Sequence, residues 1–188
     1  MVRCVHYLSR IRLETGGVVR SVLDFCRVFA ALGNPTTLVT GDATDVPPEW
    51  AHSTSPHIPR LIAIDPPRGK FALLHRSDKA RLREALADAQ VLHLHTPWEP
   101  SNLQAAALAR QAGVPYVLSA HGMLDDWSMA QKGFKKRAYL KLAGSKLLRR
   151  AARVHFTARA ELEQARKWLA GDNGVVLPLV MDLSPFEN

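Results

Sequence analysis

An open, doubly wound parallel α/β sheet with helices on both faces is the fold class this sequence predicts, on three observations. Short apolar runs alternate with helix-period segments almost throughout the 188 residues, the pattern of repeated strand–helix–strand units. The run Val114-Pro115-Tyr116-Val117-Leu118-Ser119-Ala120 reads as a strand buried on both faces, as central strands of parallel sheets are. Three unusual stretches, Gly16-Gly17, Thr96-Pro97-Trp98-Glu99 and His121-Gly122-Met123, each follow a strand pattern. They therefore converge on the carboxyl edge, where open α/β sheets bind ligands.

The elements follow in order. Residues 3–8 form the first strand, and residues 18–32 a helix whose stripe is Val18, Val22, Phe25, Phe29 and Leu32, closed by Gly33. Residues 36–40 form the second strand. Pro47, Pro48, Pro56 and Pro59 then predict a long loop without regular structure over residues 45–59. Residues 61–64 make a short third strand, and Ser77 is placed to cap a helix ending near Ala89. Residues 91–95 give the fourth strand, residues 102–112 a helix ending at Gly113, and residues 114–120 the fifth strand. A long basic helical region spans residues 132–152, with Gly144-Ser145 as its weak point. Residues 154–157 form a strand, 160–170 a helix and 175–177 a last short strand.

Length and composition fit one globular domain, assigned to residues 1–178, with enough apolar residues for a core. The N-terminus carries no apolar segment of signal-peptide length, and no run approaches the ~20 apolar residues of a membrane-spanning helix. A soluble, cytoplasmic protein is expected. Cys4 and Cys26 fall in a strand and a helix pattern and read as small buried hydrophobes. The net charge of +8 is concentrated: nine of the 25 Lys and Arg lie within residues 132–153, where there is no acid, leaving 16 basic against 17 acidic residues elsewhere. On a continuous helix, Lys132, Lys135, Lys136, Lys146, Arg149, Arg150 and Arg153 share one arc opposite Leu140, Leu147, Leu148 and Ala151. Such an arc suits an anionic membrane surface or a pyrophosphate-linked substrate. Nucleic acid is not expected, since aromatic interleaving is thin and no nucleic-acid motif occurs.

His121 is the foremost candidate for chemistry, because a strand-end imidazole beside a glycine can meet a sugar hydroxyl or a developing charge. Gly16 and Gly17 let backbone amides approach a phosphate or sugar at a helix N-terminus, although a tight turn alone also needs such glycines. The pair is neither a dinucleotide fingerprint nor a P-loop. His93 and His95 share one strand face, and with His121 three zinc ligands can be drawn. No accompanying acid or cysteine is evident, so no metal is assigned and His95 is taken to line a site. Trp98, Gly122, Asp125 and Trp127 complete the candidate substrate contacts, the acid and indole suggesting a carbohydrate subsite or simply the start of the next helix.

Together, Gly16-Gly17 with Val22-Leu23, Ala30-Ala31-Leu32-Gly33, the stretch Asp88 to His95, the stretch Gly113 to Leu124, then Trp127, Lys135-Lys136, Leu148 to Ala152 and Thr157 to Glu161 resemble the N-terminal domain of a glycosyltransferase family 4 enzyme of the GT-B architecture. The resemblance implies a Rossmann-like domain, the N-terminal half of a GT-B fold, acting in retaining sugar transfer. The donor would be a nucleotide-sugar, with no further cofactor, and the acceptor a glycan or a lipid-linked molecule. His121 would contact the transferred sugar, Gly16 and Gly17 the donor phosphate or the acceptor, and the basic helix a membrane or lipid pyrophosphate at the inner face of the membrane. Residues 179–188 would begin a linker to a second, donor-binding domain carrying two glutamates separated by seven residues, a spacing this chain lacks. The linker reads Pro178-Leu179-Val180-Met181-Asp182, without the family's asparagine and glycine. Residues 1–188 alone are expected to be inactive, and the competing expectation is a stand-alone basic module that binds anionic lipid or polyanion.

Overall fold

The computed structural model describes residues 1–69, 71–169 and 171–181; the linker positions from Asp182 onward lie outside the described residues. Seven strands form one sheet, β1 (Cys4–Tyr7), β2 (Thr36–Thr40), β3 (Arg60–Ala63), β4 (Val91–His95), β5 (Tyr116–Ser119), β6 (Arg153–Phe156) and β7 (Gly174–Val176). Their order is β3-β2-β1-β4-β5-β6-β7, and every pairing is parallel. The predicted fold class is the observed one.

The helices are α1 (Gly17–Ala31), α2 (Arg76–Leu86), α3 (Pro100–Gln111), α4 (Asp126–Ala130), α5 (Gly133–Tyr139), α6 (Ser145–Arg150) and α7 (Arg159–Ala165). On one face of the sheet, Tyr7, Leu92, Leu94, Leu118, Val154 and Phe156 pack in one cluster with Leu82, Leu86, Ala105, Leu148 and Ala165 of the helices. On the other, Leu38 packs with Val19, Val22, Leu23 and Cys26 of α1 and with Trp50. Chain direction across the sheet reverses between β1 and β4, since β1 lies between β2 and β4. That reversal opens a crevice at the carboxyl ends of the two strands.

Four sequence expectations need correction. The loop over residues 45–59 holds a 3-10 turn, Pro48–Ala51, that sinks Trp50 into the core; proline at the start of a short helix is compatible with helical geometry. Leu32 falls beyond α1 and is 74% exposed, and the buried face runs through Cys26 and Ala30, too small to stand out in an apolar stripe. Ser77 lies inside α2, and His75 holds the cap position; the serine hydroxyl pairs with His75 Nδ1 at 3.0 Å. The basic region is not one continuous helix. It runs as α5, a π-helical turn over Leu140–Gly144, and α6.

Gly144 explains the π turn. A Cβ built there would stand 2.9 Å from both Leu140 Cδ2 and Tyr139 Cε1, so the extra residue per turn gives Tyr139 room beside the glycine backbone. The basic arc is consequently split. Lys132 precedes α5 in the left-handed region and Arg153 is the first residue of β6. Cys4 and Cys26 are both buried free thiols.

Candidate functional site

The three predicted stretches have strained or permissive backbone, Thr96 and His121 just beyond the ends of β4 and β5, and Gly16 nine residues beyond β1 after a 3-10 turn, Leu13–Thr15. Gly16 has φ +112°, and Gly122 has φ +73°. Thr96 and His121, which are not glycines, have φ +66° and +50°. Positive φ is uncommon outside glycine, and for a β-branched residue such as threonine it is an outlier. Non-glycine residues hold that conformation only where surrounding structure over-determines it, most often at functional sites.

The bonds that impose it are visible. Thr96 N–H donates to Ser119 O at 3.1 Å, tying the end of β4 to β5. The Asn102 amide on α3 donates to His95 O at 2.9 Å and to Thr96 O at 2.7 Å. Asn102 is fully buried and had no signal in the sequence beyond sitting near a helix start. Around the β5 turn, Met123 N–H donates to Ala120 O at 3.1 Å, closing a turn whose central residues are His121 and Gly122.

A cavity of about 410 Å³ lies in the crevice, lined by Ser9, Arg10, Thr15, Thr96, Trp98 and Glu99 among others. Open space lies over Gly16 and Gly17, where an added Cβ would meet nothing within 4 Å. Of the two, only Gly16 needs the positive φ. Glu99 Oε1 accepts from Ser9 Oγ at 2.9 Å, while Glu99 Oε2, Thr96 Oγ1 and Trp98 Nε1 are buried without a protein partner. Burial pushes the Glu99 carboxyl above its ordinary range despite the serine. Arg10 and Glu99 were not singled out as site residues from sequence. Their signal was position alone, since each lies in the loop that follows a strand, three residues beyond β1 for Arg10 and four beyond β4 for Glu99.

Trp98, on the cavity wall, packs against the end of α5. Tyr139 meets the Trp98 ring edge-on at 5.8 Å, and Lys136 Nζ lies 5.2 Å from the Trp98 centroid, within cation–π range. Lys136 Nζ also donates to Ser128 O at 2.6 Å, and burial lowers its pKa. Lys136 therefore braces the site, whereas Lys135, Lys146, Arg149 and Arg150 are exposed. Arg153 is exposed as well, and with His155 and Val117 it lines an apolar hollow beside Phe25 of α1, on the sheet face away from Leu147 and Leu148.

Asp125 caps α4, its Oδ1 accepting from Ser128 N–H at 2.6 Å. Glu161 Oε2 accepts from Thr157 N–H and Oγ at 2.7 Å, and its other oxygen lies 3.5 Å from where a Cβ on Gly122 would stand. Trp127 is 75% exposed on α4, outside the cavity lining.

Beneath the rim lies a group of imidazoles that sequence only half revealed. His93 and His95 share a face as expected, and the partnership of β1 with β4 adds His6, in register with His93. His6 Nδ1 and His95 Nε2 are 3.2 Å apart, and His95 Nδ1 and His121 Nε2 are 3.1 Å apart. His93 Nε2, Ser119 Oγ, His155 Nδ1 and, from His155 Nε2, Leu177 O form a second string at 2.7, 2.8 and 2.8 Å. Burial drives the pKa of His6 to about 3 and of His121 to about 4. It also holds His93 and His95 far below their ordinary value, helped by neighbouring imidazoles.

His6, His93 and His95 place one nitrogen each within 4.8 Å of the others, a composition that suits zinc. The His6 and His95 rings, however, lie within 14° of coplanar with their nitrogens facing each other. Their in-plane lone pairs meet edge to edge and do not converge on a common point.

Comparison with known proteins is consistent across sequence and structure. A family model described as a glycosyl transferase 4-like domain matches residues 16–179. No curated protein matches the sequence. In structure, the chain is similar to HepE of Anabaena solved in complex with UDP-glucose, with TM-score 0.66 and 13% identity over 98% of this chain and 45% of that one. It is similar to a putative UDP-N-acetylglucosamine 2-epimerase of Listeria monocytogenes, with TM-score 0.53 and 12% identity over 94% of this chain and 45% of that one. A third likeness is to the UDP-GlcNAc 2-epimerase of Neisseria meningitidis bound to UDP-GlcNAc, with TM-score 0.53 and 12% identity over 92% and 45%. The chain spans about half the length of these proteins, and at such identities the likeness is one of fold.

Proposed function

Since this chain belongs to the glycosyl transferase 4-like domain family, we propose that it forms the acceptor-side domain of a retaining glycosyltransferase, which moves a sugar from a nucleotide-sugar to a glycan or lipid-linked acceptor. The observation that carries the reading is the meeting of Gly16, Thr96, His121 and Gly122, all at positive φ, on one carboxyl rim of the sheet. The UDP-glucose held by the similarly folded Anabaena protein supports the donor class.

In this reading the cavity beside Thr96, Trp98 and Glu99 takes the acceptor. The unpartnered Glu99 Oε2 and Trp98 Nε1 are an acceptor and a donor that hydroxyl groups satisfy. Gly16 and Gly17 bring the N-terminus of α1 against a phosphate or sugar, and the helix dipole favours negative charge there. His121 hydrogen-bonds the transferred sugar. Leaving-group charge on the nucleotide diphosphate needs cationic stabilisation, which we assign to a second domain; residues 1–188 alone are then inactive. His95 supports His121 from below, and Asp125 holds α4 beside it.

The exposed part of the basic region supports peripheral membrane contact. Phe134 and Leu142 are 87% and 85% exposed, among Lys135, Arg137 and Lys141. Interfacial segments combine apolar side chains that enter the headgroup boundary with cations that meet anionic lipid. None of the described helices is long and apolar enough to cross a membrane.

The test is sugar transfer by the full-length product of the gene, using a panel of nucleotide-sugars including UDP-glucose. His121→Ala is expected to lower kcat/KM by on the order of 10²-fold or more, the scale of losing one transition-state hydrogen-bond donor, with the unfolding midpoint retained. Unchanged transfer would remove His121 from the site. Robust transfer by residues 1–188 alone would remove the acceptor-side reading.

A further inference from the structure

The imidazole string under the rim has a direction. At pH 8 the buried rings of His6, His93, His95 and His121 are neutral, and a neutral ring has one N–H donor and one acceptor nitrogen. His95 uses both nitrogens, Nε2 toward His6 Nδ1 and Nδ1 toward His121 Nε2. The string can therefore run only two ways. If protons point outward, His6 Nδ1–H donates to His95, and His95 Nδ1–H donates to His121. If they point inward, His121 Nε2–H donates to His95, and His95 Nε2–H donates to His6.

The buried end decides between them. His6 is fully buried, and its Nε2 has no hydrogen-bond partner. Outward protons leave that nitrogen as an unmet lone pair. Inward protons make it an unmet buried N–H. Among buried backbone groups an orphaned N–H is rarer than an under-satisfied acceptor, and we extend that preference to the imidazole of His6. The edge-to-edge geometry suits real hydrogen bonds, with interplanar angles of 14° between His6 and His95 and 29° between His95 and His121.

We propose that His6 and His95 act as positioning residues: a one-way hydrogen-bond relay from His6 through His95 occupies His121 Nε2 and fixes His121 as its Nδ1–H tautomer, leaving a single N–H to face the ligand. This rests on the reading of His121 as the residue that meets the sugar, and it sharpens that role. The ring offers the ligand a donor, to a sugar hydroxyl or phosphoryl oxygen, and offers no basic nitrogen there. His121 is thereby a hydrogen-bond donor in the reaction and not a general base.

The second string is an internal control, because its direction is set by a group that can only accept. Leu177 O forces His155 Nε2–H, so His155 Nδ1 accepts from the Ser119 hydroxyl, and Ser119 Oγ accepts from His93 Nε2–H. The structure thus divides five histidines into two classes. His6, His95 and His121 carry the proton on Nδ1, and His93 and His155 carry it on Nε2.

The test is ring-nitrogen NMR of the 188-residue chain labelled with ¹⁵N-histidine, at pH 8, where the two tautomers give distinct shifts. His121 is expected with the Nδ1–H form in excess of the Nε2–H form, and His93 and His155 with the opposite excess. His6→Leu removes the first donor and should bring the His121 ratio toward even, leaving His93 and His155 unchanged. His6→Asn keeps an amide nitrogen at the Nδ1 position and should preserve the wild-type ratio. His121 found as Nε2–H in the wild type overturns the proposal, as does an undiminished ratio in folded His6→Leu. Should His6→Leu fail to fold, the wild-type pattern and His6→Asn decide alone. A correct tautomer with full transfer by His121→Ala would instead fail the functional reading, so the two are separable.

Discussion

The strand-end rim and the basic segment of residues 132–153 each hold a non-glycine residue at positive φ, Lys132 in the segment, but their side chains are set in opposite surroundings. At the rim, non-glycine residues sit at positive φ, a buried amide pins two carbonyls, and four of the histidines beneath are held neutral. In the basic segment, Lys135, Arg137, Lys141, Lys146, Arg149 and Arg150 are exposed to water. Construction of the first kind costs stability and needs a compensating function, whereas solvated charge costs little. The most conspicuous composition and the most constructed site are thus different places, joined through Lys136 of the basic segment, which braces Trp98.

Acid should expose this difference most strongly. Above pH 6.5 the rim histidines are neutral in both folded and unfolded chains and give no pH dependence. Below it, the unfolded chain takes protons that the folded one refuses, until His121 protonates near pH 4 and His6 near pH 3. Each histidine held neutral then removes about 1.4 kcal/mol of stability per pH unit. Urea midpoints at steps from pH 7 to pH 4 should fall steeply, and a flat profile would show that the imidazoles are not buried as described.

Next in size is Asn102→Ala, which removes both side-chain bonds to the end of β4. A loss of about 2–3 kcal/mol is expected by chemical denaturation, as for buried carbonyls left unmet. Gly122→Ala should cost about 1–2 kcal/mol, because φ +73° disfavours any Cβ, while the space itself is adequate at 3.5 Å from Glu161. The smallest effect belongs to the basic segment. Arg149→Glu with Arg150→Glu should change stability by less than about 0.5 kcal/mol yet abolish co-sedimentation with vesicles containing anionic phosphatidylglycerol. If binding persists, charge on α6 does not carry membrane contact.

The parallel sheet was legible because strand-like apolar runs and helix periods alternate, and every strand was found within two residues of its place. The rim was legible too, since glycine and histidine after a strand are visible in one dimension. His6 was not: only the pairing of β1 with β4 sets it against His93. Asn102 and Glu99 are polar residues near a helix start, and nothing local separates them from ordinary caps. The π turn escaped because a glycine inside a helical pattern reads as a break, while here it admits Tyr139. Trp50 was hidden among prolines whose usual meaning is a loop.

The most direct measurement of the central claim is backbone amide shift mapping of the chain on titration with UDP-glucose and, separately, with hexose oligosaccharides. The account predicts the largest perturbations at Gly16, Gly17, Thr96, His121 and Gly122 with at least one of these probes, and little change over α6. Perturbations confined to Lys146, Arg149 and Arg150, with a silent rim, would contradict it.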